Sequence, residues 1–167
     1  DNNAWEKIDR GNFIVFSSRL GNKMKIFMNK PHTKIGCDSA QNEMLMAIES
    51  AGYEITSYIH RGHSFYLLQS LYKMSSSGQF VFLGSCGGYN EVLKVFHLNP
   101  DVNVIATRNI GSKLINDPLL ASINSDIVNN KDIKWELLWK EFNNKFQSKS
   151  TKDLFSSYIP PNKYIGI

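Results

Sequence analysis

The chain has 167 residues, of which 42% are hydrophobic, 12% aromatic and 20% charged, a balance that is typical of a packed globular protein and excludes an intrinsically disordered chain. Its net charge of +4 is small and its lysines and arginines are scattered, so we expect no nucleic-acid partner. No apolar run approaches the ~18 residues of a membrane helix, and two cysteines are too few for a disulfide scaffold.

Hydrophobic periodicity predicts strands and helices in regular alternation along the chain. The predicted strands are 12–18, 23–29, 53–59, 79–83 and 102–106. The predicted helices are 38–51, 65–74, 89–97, 118–127 and 133–146. Three of these helices have a candidate capping residue at the start: Asp38, Ser64 and Asp117. The tail, 158–161, is predicted to be irregular.

The strands at 79–83 and 102–106 are short and continuously apolar, as expected for the buried centre of a parallel sheet. Their alternation with helices predicts an α/β fold, a three-layer sandwich with helices on both faces of a mostly parallel sheet. The last helix carries Trp135, Trp139 and Phe142 on one face, which we interpret as its buried side. The length suits a single domain, 1–167. Because the chain does not begin with Met, we also expect it to be a fragment of a longer chain.

Polar clusters follow three consecutive predicted strands. They are His60-Arg61-Gly62-His63-Ser64, Gly84-Ser85-Cys86-Gly87-Gly88 and Thr107-Arg108-Asn109. Ligands of open α/β sheets bind beyond the carboxyl ends of the strands. We therefore expect the three clusters to share one edge of the sheet and to form the functional site.

Cys86 is the candidate nucleophile of this site. It stands between glycines, after a buried strand and before a helix, where the glycines permit a sharp turn and a close backbone approach and the helix start can favour the thiolate. A histidine at the adjoining strand end, His60 or His63, can act as its base. The structural alternative is a small, buried, non-catalytic cysteine at a tight turn.

Two other chemistries fit parts of the pattern less well. Gly84-x-Cys86-x-Gly88 resembles the nucleophile elbow of α/β-hydrolases, but in those enzymes the histidine follows the nucleophile, and here only His97 does. His60, His63 and Cys86 also have side chains that bind zinc. There is no Cys-x-x-Cys and no acidic cluster, so we expect no metal and no cofactor.

The two blocks Ser57-Tyr58-Ile59-His60-Arg61-Gly62-His63-Ser64 and Phe80-Val81-Phe82-Leu83-Gly84-Ser85-Cys86-Gly87 resemble the caspase-like superfamily of cysteine peptidases. In that group, which includes caspases, legumain, gingipains, clostripain and separase, a hydrophobic block ending in His-Gly precedes a block ending in Ala-Cys or Gly-Cys. The order of histidine and cysteine matches. Ser64 replaces the glycine that follows the histidine in the family, and Ser85 replaces the alanine or glycine before the cysteine.

The resemblance implies a caspase-like fold and a cysteine peptidase with Cys86 as nucleophile and His63, or His60, as base. It implies an oxyanion hole of backbone N–H groups near Cys86, and our candidates for its other contributors are Ser64, Gly62 and Gly87. Candidate substrate contacts follow the neighbouring strands or begin the next helix: Arg108, Thr107, Asn109, Arg61 and Tyr89. Arg108 would favour an acidic side chain before the scissile bond.

A peptide or protein substrate is the expected partner. The alternative function is a non-catalytic, caspase-like interaction domain. The sequence does not identify the oligomeric state.

Overall fold

A computed structural model of the chain describes residues 4–31 and 35–164. These residues form six α-helices and two β-sheets, which confirms an α/β protein. The strands are β1 Trp5–Asp9, β2 Phe13–Ser18, β3 Lys25–Asn29, β4 Ser57–His60, β5 Phe80–Leu83, β6 Asn103–Thr107 and β7 Tyr158–Ile159. The helices are α1 Cys37–Ser50, α2 Leu67–Leu71, α3 Val92–Leu98, α4 Lys113–Val128, α5 Trp135–Lys145 and α6 Lys149–Ser156.

The chain divides into two compact units. Unit 1 comprises Asp1–Glu54 and Ile123–Asp132, and unit 2 comprises Ile55–Ser122 and Ile133–Ile167. A single domain over the whole chain stays a prediction. Within the described residues, no helix is both long enough and apolar enough to cross a bilayer.

Unit 1 contains an antiparallel sheet in the order β1-β2-β3. Its central strand begins with three buried residues, Phe13, Ile14 and Val15, and α1 packs against β2 and β3. Gly52 ends α1 with a positive φ of 68° and donates its N–H to the carbonyl of Glu49 at 2.9 Å. The prediction that glycine terminates this helix is confirmed.

Unit 2 contains the sheet that carries the three polar clusters. Its strand order is β4-β5-β6-β7, with the first three strands parallel and β7 antiparallel to β6. All four residues of β5 are buried, so the continuous apolar run is a central strand, as the sequence predicts. The register aligns His60 with Leu83 and Leu83 with Ala106, so the three parallel strands end at the same edge.

Alternating side chains of β5 and β6 build the core of unit 2. Val81 and Leu83, with Val104 and Ala106, pack with buried residues of α2 and α3. Phe80 and Phe82 point to the other face. There the Phe80 ring stacks on Trp135, with centroids 5.7 Å apart, and Phe82 contacts Tyr158. The aromatic stripe of α5 therefore packs inward, as expected.

The predicted helix starts are wrong at three places. Helix α1 begins after Gly36 and has no side-chain cap, so Asp38 lies inside it. The segment after β4 begins as a 3-10 turn capped by the His63 ring instead of Ser64. Helix α4 begins at Lys113, so Pro118 lies within the helix and Asp117 does not cap it.

The prediction of an irregular tail at 158–161 is wrong at its start, because Tyr158–Ile159 form the antiparallel edge strand β7. Helix α6, which precedes this strand, was not predicted. Two residues are too few to show an alternating pattern. The pairing of β7 with Ala106 and Thr107 of β6 stabilises this strand.

Gly111 lies directly against the turn that follows β5, and a Cβ atom at this position would overlap the carbonyl oxygen of Gly84. Backbone atoms cannot move aside as a flexible side chain does. We therefore expect Gly111→Ala to lower the free energy of unfolding by about 1–3 kcal/mol, measured by urea denaturation. Gly62→Ala is the control, because its Cβ would lie 3.6 Å from the nearest atom. Equal stability of the two variants would contradict the packing described here.

Candidate functional site

The turn after β5 presents Cys86 to solvent. The side chain of Cys86 is exposed and carries a free thiol. Gly87 follows with a φ of 64°, a left-handed conformation that glycine adopts without strain, and leads into a 3-10 turn, Gly88–Glu91, and then α3. The alternative of a buried cysteine at this turn is therefore wrong.

Hydrogen bonds join the Cys86 turn to both neighbouring strand ends. Gly84 donates its N–H to the carbonyl of His60, and Gly87 donates its N–H to the carbonyl of Asn109, both at 2.8 Å. The expectation that the three polar clusters share one edge of the sheet is thus confirmed. Because Gly87 already has this acceptor, its N–H is occupied and does not fit the predicted oxyanion role.

His60 is held at both ring nitrogens. Its Nε2 lies 3.2 Å from the carbonyl oxygen of His63, and its Nδ1 lies 3.1 Å from the hydroxyl of Ser70. A carbonyl only accepts hydrogen bonds, so Nε2 carries a proton, and in the neutral ring Nδ1 is an acceptor for the Ser70 hydroxyl. The carbonyl of Tyr66, at 3.2 Å, competes for the same hydroxyl proton. Burial lowers the pKa of His60, and the hydrogen bond to the His63 carbonyl opposes this shift.

His63 is exposed and caps the next turn. Its Nδ1 accepts a hydrogen bond from the backbone N–H of Phe65 at 3.1 Å. In the neutral ring the proton is therefore on Nε2, which has no hydrogen-bond partner in the described part of the chain. His63 thus has Nε2 free to donate a hydrogen bond, whereas Nδ1 accepts from the backbone.

The structure brings the histidine-bearing loop and the cysteine-bearing turn to one edge without forming a hydrogen-bonded pair. Across residues 4–31 and 35–164, the sulfur of Cys86 makes no hydrogen bond to either ring. The backbone N–H groups of Cys86 and Ser64 also have no acceptor in these ranges. Gly62, two residues before Ser64, is exposed.

Arg61 pairs with Asp117 of α4. Both side chains are partly exposed, so this ion pair contributes little to stability, but it links the loop after β4 to α4. Asp117 therefore has a different role from the predicted helix cap. The predicted substrate contact of Arg61 must compete with this carboxylate.

The cluster after β6 divides into a buried and an exposed part. Thr107 has no exposed surface, and its hydroxyl lies 3.3 Å from that of Ser157, an arrangement that favours a structural role over contact with a substrate. Asn109 is exposed, and its carbonyl serves the Cys86 turn. The guanidinium of Arg108 lies 4.8 Å above the ring of Tyr89, a cation–π contact.

Arg108 also lines an open cleft of about 440 Å³ in unit 2. Lys163 provides a second cation, and the cleft contains no acidic side chain. Its remaining lining residues are mainly aromatic or apolar: Trp139, Asn143, Phe155, Ser156, Tyr158, Ile159 and Pro160. A cleft of this composition suits an anionic group attached to an apolar one.

Two buried residues that the sequence analysis missed support the Cys86 turn. Asn116 donates its amide to the carbonyl of Gly84 at 2.9 Å, and Tyr158 donates its hydroxyl to Oδ1 of Asn116 at 2.7 Å. Tyr158 lies in the tail that was predicted to be irregular. A lone asparagine and a lone tyrosine carry no sequence signal for such a contact.

No group of three or more His, Cys, Asp or Glu side chains within the described ranges is arranged to hold a metal ion. The structure thus gives no support to the zinc alternative.

Comparisons of the chain with models of known protein families, with curated proteins and with solved structures find no match. The resemblance to caspase-like peptidases therefore stays a prediction, carried by the residues that follow β4 and β5.

The environment of His60 predicts a pH-dependent stability. Its folded pKa is lower than the unfolded value of about 6.5, so the unfolded state binds more protons at acid pH. The free energy of unfolding should decrease as the pH falls below about 6.5. His60→Gln should remove this part of the pH dependence in denaturation experiments. His97→Gln, which replaces an exposed histidine in unit 2, is the control. Identical pH profiles for wild type and His60→Gln would disprove the assignment.

Proposed function

We propose that the chain is a cysteine hydrolase of the peptidase type in which Cys86 is the nucleophile. The observation that carries this proposal is the exposed Cys86 on the turn after the central parallel strand β5, beside the histidine-bearing end of β4. An exposed cysteine at the carboxyl edge of a parallel sheet occupies the position where such folds bind their ligands.

His63 is the better candidate for proton transfer. The ring of His60 is half-buried, with partners at both nitrogens, whereas the exposed ring of His63 has Nε2 free of described partners. In the capped state, however, neutral His63 holds its proton on Nε2 and can only donate from that atom. We therefore propose that the bond between His63 and the Phe65 N–H breaks when His63 acts as a base.

The proposed reaction has two stages. The thiol of Cys86 transfers its proton to His63, and the thiolate attacks the substrate carbonyl carbon. The oxyanion accepts hydrogen bonds from the backbone N–H groups of Cys86 and Ser64. The C–N bond then breaks, the leaving amine takes the proton from His63, and a thioester remains. Water, deprotonated by His63, hydrolyses the thioester and restores the thiol.

We propose a caspase-like arrangement for unit 2. Its support is the parallel order β4-β5-β6, the histidine cluster before the cysteine cluster, and core contacts on both faces of β5. The three-layer sandwich expected from the sequence belongs to this proposal. The substrate class, a peptide with an acidic side chain that pairs with Arg108, also belongs to it.

Thiol reactivity tests the role of Cys86. We expect iodoacetamide to alkylate Cys86 at least about tenfold faster than Cys37 at neutral pH, because a histidine partner favours the thiolate. Replacing both His60 and His63 by Gln should suppress this difference, and the two single variants identify which ring acts. Peptide mapping by mass spectrometry measures both cysteines in one sample.

The control for the histidine variants is His97→Gln, which should leave the labelling of Cys86 unchanged. Cleavage of a peptide library should be lost in Cys86→Ala and retained in Cys37→Ala. Equal labelling of the two cysteines, unaffected by the histidine variants, would falsify the proposal.

Arg108 gives a specificity test. For substrates with an acidic side chain before the scissile bond, Arg108→Gln should lower kcat/KM by about tenfold or more, because a charge-assisted hydrogen bond is lost. Matched peptides with Gln in place of Glu should be cleaved at nearly the same rate by both proteins. A similar loss for both peptides would show that Arg108 does not contact the acidic group.

One observation favours the alternative, a non-catalytic interaction domain. Three of the four ring nitrogens of His60 and His63 already have partners in the chain, and neither ring is hydrogen-bonded to Cys86. This alternative predicts no cleavage of any peptide. It also predicts a thiol blocked by neighbouring side chains, whereas Cys86 is exposed.

A further inference from the structure

We propose that Tyr158 and Asn116 are positioning residues for Cys86: the phenol orients the Asn116 amide, and the amide holds the carbonyl of Gly84 and with it the turn that presents the thiol. This inference rests on the proposed function only for its consequence in catalysis. The positioning itself is a property of the fold.

The polarity of the chain of hydrogen bonds is determined by its ends. The backbone N–H of Ser112 can only donate, and it gives its proton to the Tyr158 hydroxyl at 2.9 Å. The phenol has one proton and gives it to Oδ1 of Asn116 at 2.7 Å, because its other acceptor, the carbonyl oxygen of Ser112, is more distant at 3.5 Å. The amide of Asn116 is thereby oriented with its NH₂ group toward the carbonyl of Gly84 at 2.9 Å.

These groups are shielded from water. Tyr158 is 2% exposed and Asn116 is 3% exposed. A buried polar group that loses its partner cannot replace it with solvent, so each bond in the series constrains the next. Without the phenol, no described group donates a hydrogen bond to Oδ1 of Asn116. The direction in which the amide points is then no longer fixed.

The far end of the series acts directly on the Cys86 turn. A Cβ on Gly84 would lie 2.6 Å from Oδ1 of Asn116, so the amide is in close contact with the backbone at this point. Gly84 also donates its N–H to His60, and Gly88 donates to the carbonyl of Ser85. Both peptide groups of Gly84 are therefore fixed, and Cys86 follows two residues later.

The phenol also lies within electrostatic range of the site. Burial raises the pKa of Tyr158, a charged Cys86 raises it further, and Arg61 lowers it. The phenol consequently keeps its proton at neutral pH, and the direction of the hydrogen bonds does not change there.

The test compares two buried tyrosines of unit 2. Tyr158→Phe removes the hydroxyl and keeps the ring. Tyr164→Phe is the matched control, because its buried hydroxyl makes no hydrogen bond to Ser112, Asn116 or Gly84 within the described residues. Asn116→Asp provides a second variant. Its carboxylate can still accept from the Tyr158 hydroxyl but cannot donate to the carbonyl of Gly84. If one of the two positioning variants does not fold, the other decides the question.

Amide hydrogen exchange and alkylation of Cys86 are measured on the full chain. In Tyr158→Phe we expect exchange at the amides of Gly84 and Gly87 to accelerate about five- to tenfold, with β5 and β6 unchanged. The rate of Cys86 alkylation at a fixed neutral pH should also differ from that of the wild type, because the turn that presents the thiol is no longer held by Asn116. Tyr164→Phe should match the wild type in both measurements.

Turnover separates this proposal from the proposed function. If wild type cleaves peptides, Tyr158→Phe should lower kcat by about tenfold with KM changed less than about threefold, because orientation and not binding is lost. If wild type cleaves nothing, the hydrolase is disproved, and exchange and alkylation still decide the positioning. The positioning proposal is overturned if Tyr158→Phe matches Tyr164→Phe, or if exchange accelerates equally throughout β5 and β6.

Discussion

The parallel pairing of β4, β5 and β6 is the constraint on which the candidate site depends. All four side chains of β5 are buried, so this strand can only occupy the interior of the sheet. In-register pairing on both sides then brings the following loops to a single edge. Residues distant in sequence meet there through their backbones, as the bond from Gly87 to Asn109 shows. The polar chemistry of unit 2 is thus located by an apolar strand.

Strong, regular sequence signals predicted the parts of this structure that follow from burial. The continuous apolar runs of β5 and β6 and the helical spacing of the aromatic face of α5 are patterns that burial requires, and the glycines around Cys86 indicated a sharp turn. These features depend on a residue and its near neighbours. Hence a single sequence was enough to place Cys86 and the two histidine positions at one sheet edge.

The remaining features depend on partners far along the chain. Strand β7 has two residues and exists because β6 offers it an edge. The start of α4 at Lys113 carries Asn116 inward to Gly84, and Pro118 is accommodated inside the helix. Nothing in the local sequence distinguishes Tyr158 from any other aromatic residue in a polar tail. Its role is visible only in the folded structure, where its hydroxyl holds Asn116 and Asn116 holds the carbonyl of Gly84.

The two histidines show how closely structural and chemical demands overlap at this edge. The first residue of a helical turn is usually capped by Ser, Thr, Asp or Asn. Here the imidazole of His63 is the cap, and the Ser64 side chain is not. The basic nitrogen of the ring is the atom that the cap uses. That nitrogen accepts from the Phe65 N–H, so the ring cannot use it for chemistry while the cap is in place.

The hydrogen bonds behind Cys86 also have a consequence for folding. Tyr158 and Asn116 are 42 residues apart, and Asn116 and Gly84 are 32 apart. Contacts of such separation form late, after the entropy of closing long loops has been overcome. β5 and Cys86 are therefore synthesised before β7, the strand whose Tyr158 holds Asn116 in place. We expect the Cys86 turn to become fully ordered only when β7 docks, so thiol reactivity would report that step of folding.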